Sequence, residues 1–248
     1  MKILTVTIQK GGVAKTTTAA ALAQAAAFMG HRVLAVDLDP QNNLSFALGA
    51  QTIAETGNSY NLLMGIPAAE LIQTTPQGLD VIPACGDLSA VTSSTGSARR
   101  LQKALEPVKK DYDLIVVDIP TAAGELVFNA LQAATGVIIP TNTDAYNMQS
   151  LYQTAGLVNQ FRQSNPALMI EGVLLTNYTA QTRLDRQVKE MLQRQATELG
   201  IPYLGEIRRA VAIRESALLR ESLYSYAPKS NPAQDYLRIY KAIAQEEA

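Results

Sequence analysis

The sequence has one cysteine, no tryptophan and no long apolar run. The single cysteine, Cys85, excludes a framework of intrachain disulfides and a metal cluster held by the cysteines of one chain. No run of about 18 or more apolar residues occurs, so a membrane-spanning helix is not expected. The first residues lack the cleavage site of a secretory signal peptide and are typical of a strand. We therefore expect a cytoplasmic protein.

Charge of one sign is not in excess either. The chain has 21 Lys and Arg against 22 Asp and Glu, a net charge of −1, so no global field draws it to nucleic acid or to a membrane. Residues 178–241, however, hold eleven Lys and Arg against seven Asp and Glu. Two interpretations of this locally basic quarter stay open: solvated helix faces of mixed charge, or a patch that binds a polyanion.

Short apolar runs alternate with longer segments of helical pattern along all 248 residues. This alternation predicts a doubly wound α/β fold, with a mostly parallel sheet flanked by helices, in one domain over 1–248. The predicted strands are 3–8, 32–37, 79–83, 114–118, 136–140 and 169–176. The predicted helices are 16–29, 98–109, 125–134 and 184–199. Residues 41–78 and 84–97 are predicted to be irregular surface excursions.

The segment QKGGVAKTTT, residues 9–18, lies between the first predicted strand and the first predicted helix. This is the context of a phosphate-binding loop, in which successive backbone N–H groups and a helix N-terminus surround an anion. Gly11 and Gly12 allow close approach of the backbone to phosphate oxygens. We expect Lys15 to reach the β- and γ-phosphates and the Thr16 hydroxyl to bind Mg²⁺.

The segment KGGVAKTTT resembles the deviant Walker A box, KGGxGK[T/S], of the ParA/MinD superfamily of P-loop ATPases. Three further segments agree in order: residues 36–43 resemble the DxDPQxN segment, residues 113–120 the Walker B strand and its exit, and residues 205–230 the C-terminal stretch of Soj-type ParA proteins. The resemblance covers nearly the whole chain.

Two positions depart from the pattern of the family. Ala14 stands where the family has a third loop glycine, and left-handed backbone costs an alanine roughly 1 kcal/mol. Ala14 is therefore either not left-handed or strained. The Walker B exit reads Asp-Ile-Pro-Thr, whereas the family often has Asp-x-Pro-Pro.

The resemblance implies an ATPase with ATP and Mg²⁺ as cofactors and weak basal activity. It implies catalytic roles for Lys10, Lys15 and Asp39, with Asp39 orienting or activating the attacking water. It implies metal binding by Thr16, Asp37 and Asp118. Nucleotide contacts are implied for Lys10, Gly11, Gly12, Val13, Ala14, Lys15, Thr16, Thr17, Asn177 and Arg209.

Asn177 directly follows the predicted strand 169–176, at the sheet edge where open α/β folds bind ligands. Its amide carries the donor and the acceptor needed to read an adenine edge. Capping of the next helix is the alternative role. The neighbourhood of Arg209 resembles the family loop that packs on the base.

Lys10 is the residue that makes the Walker A box deviant. In the resembled family this lysine crosses a dimer interface to the phosphates of the partner, so two protomers sandwich two ATP molecules. The resemblance therefore implies a homodimer in the ATP-bound form, which loss of the γ-phosphate weakens.

The resemblance also implies nonspecific binding to double-stranded DNA. Arg183, Arg186 and Lys189 recur at i, i+3 and i+6 of a predicted helix and share one broad face. The other DNA-contacting residues implied are Arg208, Arg214 and Arg220. Phosphate contacts of this kind are salt-dependent and independent of sequence. Nucleoid association and a small ParB-like or McdB-like adaptor that stimulates hydrolysis are expected with it.

Other functions fit a fold of this kind. A MinD-like membrane-cycling regulator needs a basic amphipathic C-terminal helix, whereas residues 236–248 finish acidic, so stable membrane association is not expected. A metal-cluster reductase needs cysteines at the dimer axis. A small-molecule ATP-dependent ligase would turn over ATP only with its small substrate. No helix-turn-helix domain precedes the phosphate loop, so operator binding is not expected. Plasmid, chromosome locus and carboxysome stay open as cargo.

Overall fold

A single β-sheet lies at the centre of the computed structural model, which describes residues 1–52, 57–91, 97–144 and 147–245. The strands are β1 (Lys2–Val6), β2 (Val33–Asp37), β3 (Gln73–Thr74), β4 (Asp80–Ile82), β5 (Leu114–Asp118), β6 (Gly136–Thr141), β7 (Met169–Tyr178) and β8 (Tyr203–Arg208). Their order across the sheet is β3-β4-β2-β5-β1-β6-β7-β8. Only the pairing of β3 with β4 is antiparallel among these described strands.

Helices pack on both faces of this sheet. Those in the described residues are α1 (Lys15–Phe28), α2 (Asn43–Leu48), α3 (Ser59–Leu63), α4 (Ala68–Leu71), α5 (Arg100–Leu105), α6 (Glu125–Ala133), α7 (Asn147–Phe161), α8 (Arg183–Glu198), α9 (Ala212–Leu219), α10 (Leu223–Tyr226) and α11 (Asn231–Ala244). Short 3₁₀ turns occur at Gly86–Ala90, Ser97–Arg99 and Lys109–Asp111. The predicted doubly wound α/β fold is confirmed.

The central strands are buried on both faces, as their continuous apolar runs predict. In β1, Leu4 and Val6 belong to one core cluster and Ile3 belongs to the other, on the opposite face. β1 pairs with β5 on one side and with β6 on the other. The loop after β1 therefore leaves the sheet where the winding direction reverses, the place at which open α/β sheets bind ligands.

Helix α1 is rich in alanine, which lets its backbone lie close to the sheet. Gly30, two residues beyond the helix end, is left-handed with φ of 86° and turns the chain towards β2. α11 covers α1, and the Tyr236 hydroxyl lies 3.1 Å from the Thr18 hydroxyl. The apolar face of α11, which includes Ile239 and Ile243, is buried in this contact. Residues 246–248, which carry the acidic finish, lie outside the described residues.

The prediction of irregular surface excursions at 41–78 and 84–97 is wrong where short helices form and pack on the core. Helices α2, α3 and α4 form there, and Leu44, Leu62 and Leu71 are buried in the core. These helices are four to six residues long, too short to show helical periodicity in a sequence. Residues 53–56 and 92–96 of the two segments lie outside the described residues.

Two more predictions differ from the structure. The predicted helix 98–109 is shorter, because α5 ends at Leu105 and the chain reaches Pro107, which lacks the N–H that a longer helix requires. Strand β8 was not predicted, because its sequence, YLGEIR, has only partly buried positions apart from Ile207. Within the described residues, no helix combines the length and apolar character needed to cross a bilayer.

Candidate nucleotide site

The phosphate loop leads from β1 to the first turn of α1. Gly12 and Ala14 are both left-handed, with φ of 75° and 65°. Of the two alternatives for Ala14, the strained one is therefore correct, and the position has a conformation that glycine adopts without cost. The loop is held from behind, since the Thr176 hydroxyl donates to the Val13 carbonyl (3.2 Å) and the Asn142 side chain to the Gly12 carbonyl (3.3 Å).

The Lys15 side chain lies across this loop and is 8% exposed as a residue. Its ammonium donates to the Lys10 carbonyl oxygen at 3.0 Å and to the Thr121 hydroxyl at 2.8 Å. Burial lowers the pKa of Lys15, and the charges of Asp118 and Asp39 oppose that shift. Lys15 therefore lies near acidic residues that follow β2 and end β5. A lysine in this position can bind phosphate oxygens at the same edge of the sheet.

Asp118, at the end of β5, is fully buried. Neither of its carboxylate oxygens receives a hydrogen bond from the described residues. Burial raises the pKa of Asp118 to about 8, the charge of Asp37 adds to the shift, and the Thr16 hydroxyl and Lys15 oppose it. Two buried acceptor oxygens without donors fit a hard cation, because Mg²⁺ takes oxygen ligands and restores the charged form.

Asp37 pairs in register with Asp118 and is also fully buried, but its carboxylate is already bonded. Oδ1 accepts from the Asp39 N–H at 3.0 Å, and Oδ2 accepts from the Ser45 N–H and hydroxyl at 2.8 and 2.7 Å. These bonds hold the turn from β2 into α2. Burial raises the pKa of Asp37 to about 6 despite them.

The expectation that alternation along a strand places Asp37 and Asp39 on one face is wrong, because β2 ends at Asp37. Asp39 lies in the following turn, half-buried, and its Oδ1 accepts from the Gln41 N–H at 3.0 Å. Across residues 1–52, 57–91, 97–144 and 147–245, no group of three or more His, Cys, Asp or Glu side chains could hold a metal ion. Mg²⁺ does not need one, since it often binds to one or two carboxylates together with substrate phosphates.

Lys10 lies at the start of the loop, and its ammonium is 2.7 Å from Oδ2 of Asp144. Asp144 follows β6 and shares its turn with Asn142, whose side-chain oxygen accepts from the Asp144 N–H at 3.1 Å. The exit of β6 thus contacts the phosphate loop twice, once through Asn142 and once through Asp144.

The two residues expected at the base, Asn177 and Arg209, line one cleft of about 440 Å³ together with Asn142 and Arg214. Asn177 is the penultimate residue of β7 and not the residue after it. It is exposed and left-handed, with φ of 56°. It does not cap α8, because the capping residue is Thr182, whose side chain accepts from the Asp185 N–H. The cleft continues from the phosphate loop through Asn142.

Four of the six residues expected to contact DNA form side-chain ion pairs or hydrogen bonds within the chain. Lys189 pairs with Glu206 at 2.5 Å. Arg208 forms a two-pronged ion pair with the buried Asp235, with bonds of 2.7 and 2.9 Å. These two side chains are committed to the contact between β8 and its neighbouring helices, so the structure does not support them as phosphate ligands.

Arg220 is the third of these residues. It ends α9 in the left-handed region, and its guanidinium donates to the carbonyls of Phe46 and Ala50, at 3.3 and 2.7 Å. It thereby fixes α9 to the end of α2. Arg183, Arg186 and Arg214 are exposed. Arg220 is exposed as well, but it would have to leave its two carbonyl contacts to reach a polyanion. Arg186 also donates to the Ala180 carbonyl at 2.9 Å.

The sequence patterns did not identify Asn142, Asp144 or Thr176 as site residues. They indicated Thr121 only as a departure from the Walker B exit of the resembled family. All four lie at or just beyond the carboxyl ends of parallel strands. That position is the signal that could have identified them, because these ends meet at the edge of the sheet that carries the phosphate loop.

Known proteins resemble this chain over nearly its whole length. Residues 1–170 match the family described as AAA domain. The sporulation initiation inhibitor protein Soj of Bacillus subtilis is 37% identical, over 98% of each chain. The chromosome partitioning protein ParA of Caulobacter vibrioides is 34% identical, over 100% of this chain and 95% of its own. The crystal structure of cobyrinic acid a,c-diamide synthase from Mycobacterium smegmatis, with bound ADP and magnesium, is 32% identical with a TM-score of 0.78, over 94% of this chain and 98% of its own.

Proposed function

Since this chain belongs to the Soj/ParA family of partition ATPases, we propose that it positions cargo in the cell through cycles of ATP binding, dimerisation and hydrolysis. The observation that carries the proposal is the meeting of two lysines and an unpaired buried carboxylate at one loop. Lys15 is buried against the loop, Lys10 stands at its entrance, and Asp118 lies behind it without a hydrogen-bond donor among the described residues. This arrangement suits a bound Mg²⁺ and triphosphate.

Each residue has a distinct part in hydrolysis. Lys15 and the loop N–H groups bind the β- and γ-phosphates, and Thr16 and Asp118 hold Mg²⁺. When bound, Mg²⁺ neutralises the negative charge that develops on the phosphate oxygens. Asp39 orients the attacking water. Asp37 accepts from the Asp39 N–H and so positions Asp39, which replaces the metal role implied for it by the resemblance.

Lys10 supplies the dependence of dimerisation on ATP. Its ammonium is 2.7 Å from Asp144 of its own chain, at a side-chain exposure of 21%. In the proposed dimer Lys10 exchanges this carboxylate for the phosphates of the partner's nucleotide. A phosphate with more negative charge competes better for the ammonium, so ATP favours the dimer more than ADP does.

Arg183, Arg186 and Arg214 supply the contacts to double-stranded DNA in this proposal. They are exposed, whereas Lys189, Arg208 and the equally exposed Arg220 hold contacts between separate elements of the fold. Two copies of the patch in one dimer raise the affinity through multivalency, so ATP controls attachment to the nucleoid. A small ParB-like or McdB-like adaptor on the cargo stimulates hydrolysis and releases the dimer.

Light scattering with ATP, ADP and a generic DNA duplex tests the proposal. We expect monomers with ADP and dimers with ATP. We expect binding to the duplex in the presence of ATP but not of ADP. Lys15→Ala should lose nucleotide binding, and Asp39→Ala should remain a DNA-bound dimer because it cannot hydrolyse ATP. Monomers in saturating ATP, for both the wild-type chain and Asp39→Ala, would contradict the proposal.

A second candidate function is ATP-dependent amide synthesis, which the similarity to the M. smegmatis synthase favours. An amide synthetase consumes ATP only together with its small acid and its nitrogen donor. We rank it second, because it gives Lys10 no part in the reaction and because Soj and ParA, at 37% and 34% identity, are more similar to this chain than the synthase is at 32%. Phosphate release from ATP that rises with DNA and adaptor, with no small acid present, excludes it.

A further inference from the structure

Thr121 makes a contact that the proposed function does not use. It is the third residue after β5, in the exit loop that leads to α6, and it is exposed. Its hydroxyl oxygen is 2.8 Å from the Lys15 ammonium, which also donates to the Lys10 carbonyl at 3.0 Å. An ammonium has three N–H donors, so one donor remains for a phosphate oxygen. The Thr121 hydroxyl accepts one bond from Lys15 and keeps its own hydrogen to donate.

The order of the strands places Thr121 at the terminal-phosphate end of the site. β5 pairs with β1 on the side away from β7 and β8. Asn177 and Arg209, which line the cleft for the base, lie at the ends of β7 and β8, on the other side of the loop. The charges of Asp118, at the end of β5, and of Asp39, in the turn after β2, both act on the Lys15 ammonium. A nucleotide with its base near Asn177 therefore directs its last phosphate towards Thr121.

We propose that Thr121 recognises the terminal phosphate: its hydroxyl accepts from Lys15 and donates to a γ-phosphate oxygen. The loop after β5 thereby distinguishes ATP from ADP. The inference rests on the proposed function, since it assumes that the loop binds ATP. It concerns a side chain of this sequence, since the exit of β5 reads Asp-Ile-Pro-Thr and the last of these residues carries the hydroxyl.

The test compares Thr121→Val, which keeps the shape of the side chain without the hydroxyl, with Thr121→Ser, which keeps the hydroxyl. Dissociation constants for Mg²⁺-ATPγS and Mg²⁺-ADP are measured by calorimetry, at protein concentrations where light scattering reports monomers. A hydrogen bond to a charged phosphate oxygen corresponds to about tenfold or more in affinity. We expect Thr121→Val to bind ATPγS about tenfold more weakly and ADP within about twofold of wild type, and Thr121→Ser to match wild type for both.

Thr121→Ala, which also lacks the hydroxyl, should behave like Thr121→Val. The inference is overturned if Thr121→Val keeps the wild-type ratio of the two dissociation constants, or if Thr121→Ser loses ATPγS affinity as Thr121→Val does. A failure of the proposed function looks different, because the wild-type chain would then stay monomeric in saturating ATP or would bind neither nucleotide, whichever residue stands at position 121.

Discussion

The ammonium of Lys10 lies 2.7 Å from the carboxylate of Asp144 in the same chain. The residue that should reach the partner's nucleotide is therefore held by an intramolecular ion pair. The Lys10 and Asp144 side chains are 21% and 46% exposed, so the pair is worth at most about 1 kcal/mol. A contact of this strength adjusts dimerisation without preventing it.

Asp144→Asn should strengthen the ATP-dependent dimer. Each dimer releases two Lys10–Asp144 pairs, so the loss of up to about 1 kcal/mol from each pair lowers the dimer dissociation constant by up to about thirtyfold. Analytical ultracentrifugation in ATPγS measures this constant. Asp87→Asn, an exposed substitution of the same charge in a 3₁₀ turn, is the control and should leave it unchanged. Equal dimer affinity in wild type and Asp144→Asn would show that this ion pair does not limit dimerisation.

Ala14→Gly should stabilise the chain. Ala14 has φ of 65°, and a left-handed alanine costs about 1–2 kcal/mol, of which the added flexibility of glycine in the unfolded chain offsets part. We expect the free energy of unfolding in urea to rise by about 0.5–1 kcal/mol. Ala27→Gly, in the last turn of α1, should instead lower it by about 1 kcal/mol. A loss of stability in Ala14→Gly would mean that the strain is relieved elsewhere in the loop.

Arg186→Ala and Arg208→Ala should affect different properties. The first should weaken DNA binding, and the second should lower the free energy of unfolding. Arg186 is exposed, so its removal should weaken DNA binding and lower the salt slope by about 0.9 per lost phosphate contact, with little change in stability. Arg208→Ala leaves the buried Asp235 without its two-pronged partner and should cost about 2 kcal/mol of stability, with DNA affinity retained. Filter binding over a salt series and urea unfolding report the two effects. An unchanged salt slope for Arg186→Ala would show that this residue is solvated and does not contact a DNA phosphate.

Asp118 should make stability depend on pH. Burial raises its folded pKa to about 8, above the usual value of 3.8, so the folded state binds the proton more tightly than the unfolded state. The contribution to stability is fully present below about pH 4 and is lost as pH rises towards 8. In EDTA, Asp118→Asn should flatten this decline and raise the free energy of unfolding at pH 8 by on the order of 2 kcal/mol.

Mg²⁺ should offset the loss of stability that the charged Asp118 causes at pH 8 in the wild-type chain. A cation beside Asp118 favours the charged carboxylate, so added Mg²⁺ should raise the urea midpoint at pH 8 in wild type but not in Asp118→Asn. Asp111→Asn, an exposed carboxyl substitution, is the control for general charge effects. The same response to Mg²⁺ in wild type and Asp118→Asn would show that Asp118 does not bind the cation.

Local features of the chain could be predicted from the sequence. The boundaries of β5 follow from a continuous apolar run bounded by charge, and the phosphate loop follows from consecutive residues between a strand and a helix. The short helices α2 to α4 could not be predicted in this way, because each buries only a few side chains and shows no periodicity.

The sequence by itself determined the fold class and the residues of the phosphate loop, because strand burial, loop chemistry and helix starts depend on neighbours along the chain. Only the tertiary structure decided which charged side chains are available. Lys189 pairs across 17 residues, Arg208 across 27 and Arg220 across 170, whereas the hydrogen bond of Arg186 spans only 6 residues. An arginine has the same chemistry in each case, and its role depends on whether folding brings an acceptor within hydrogen-bond distance.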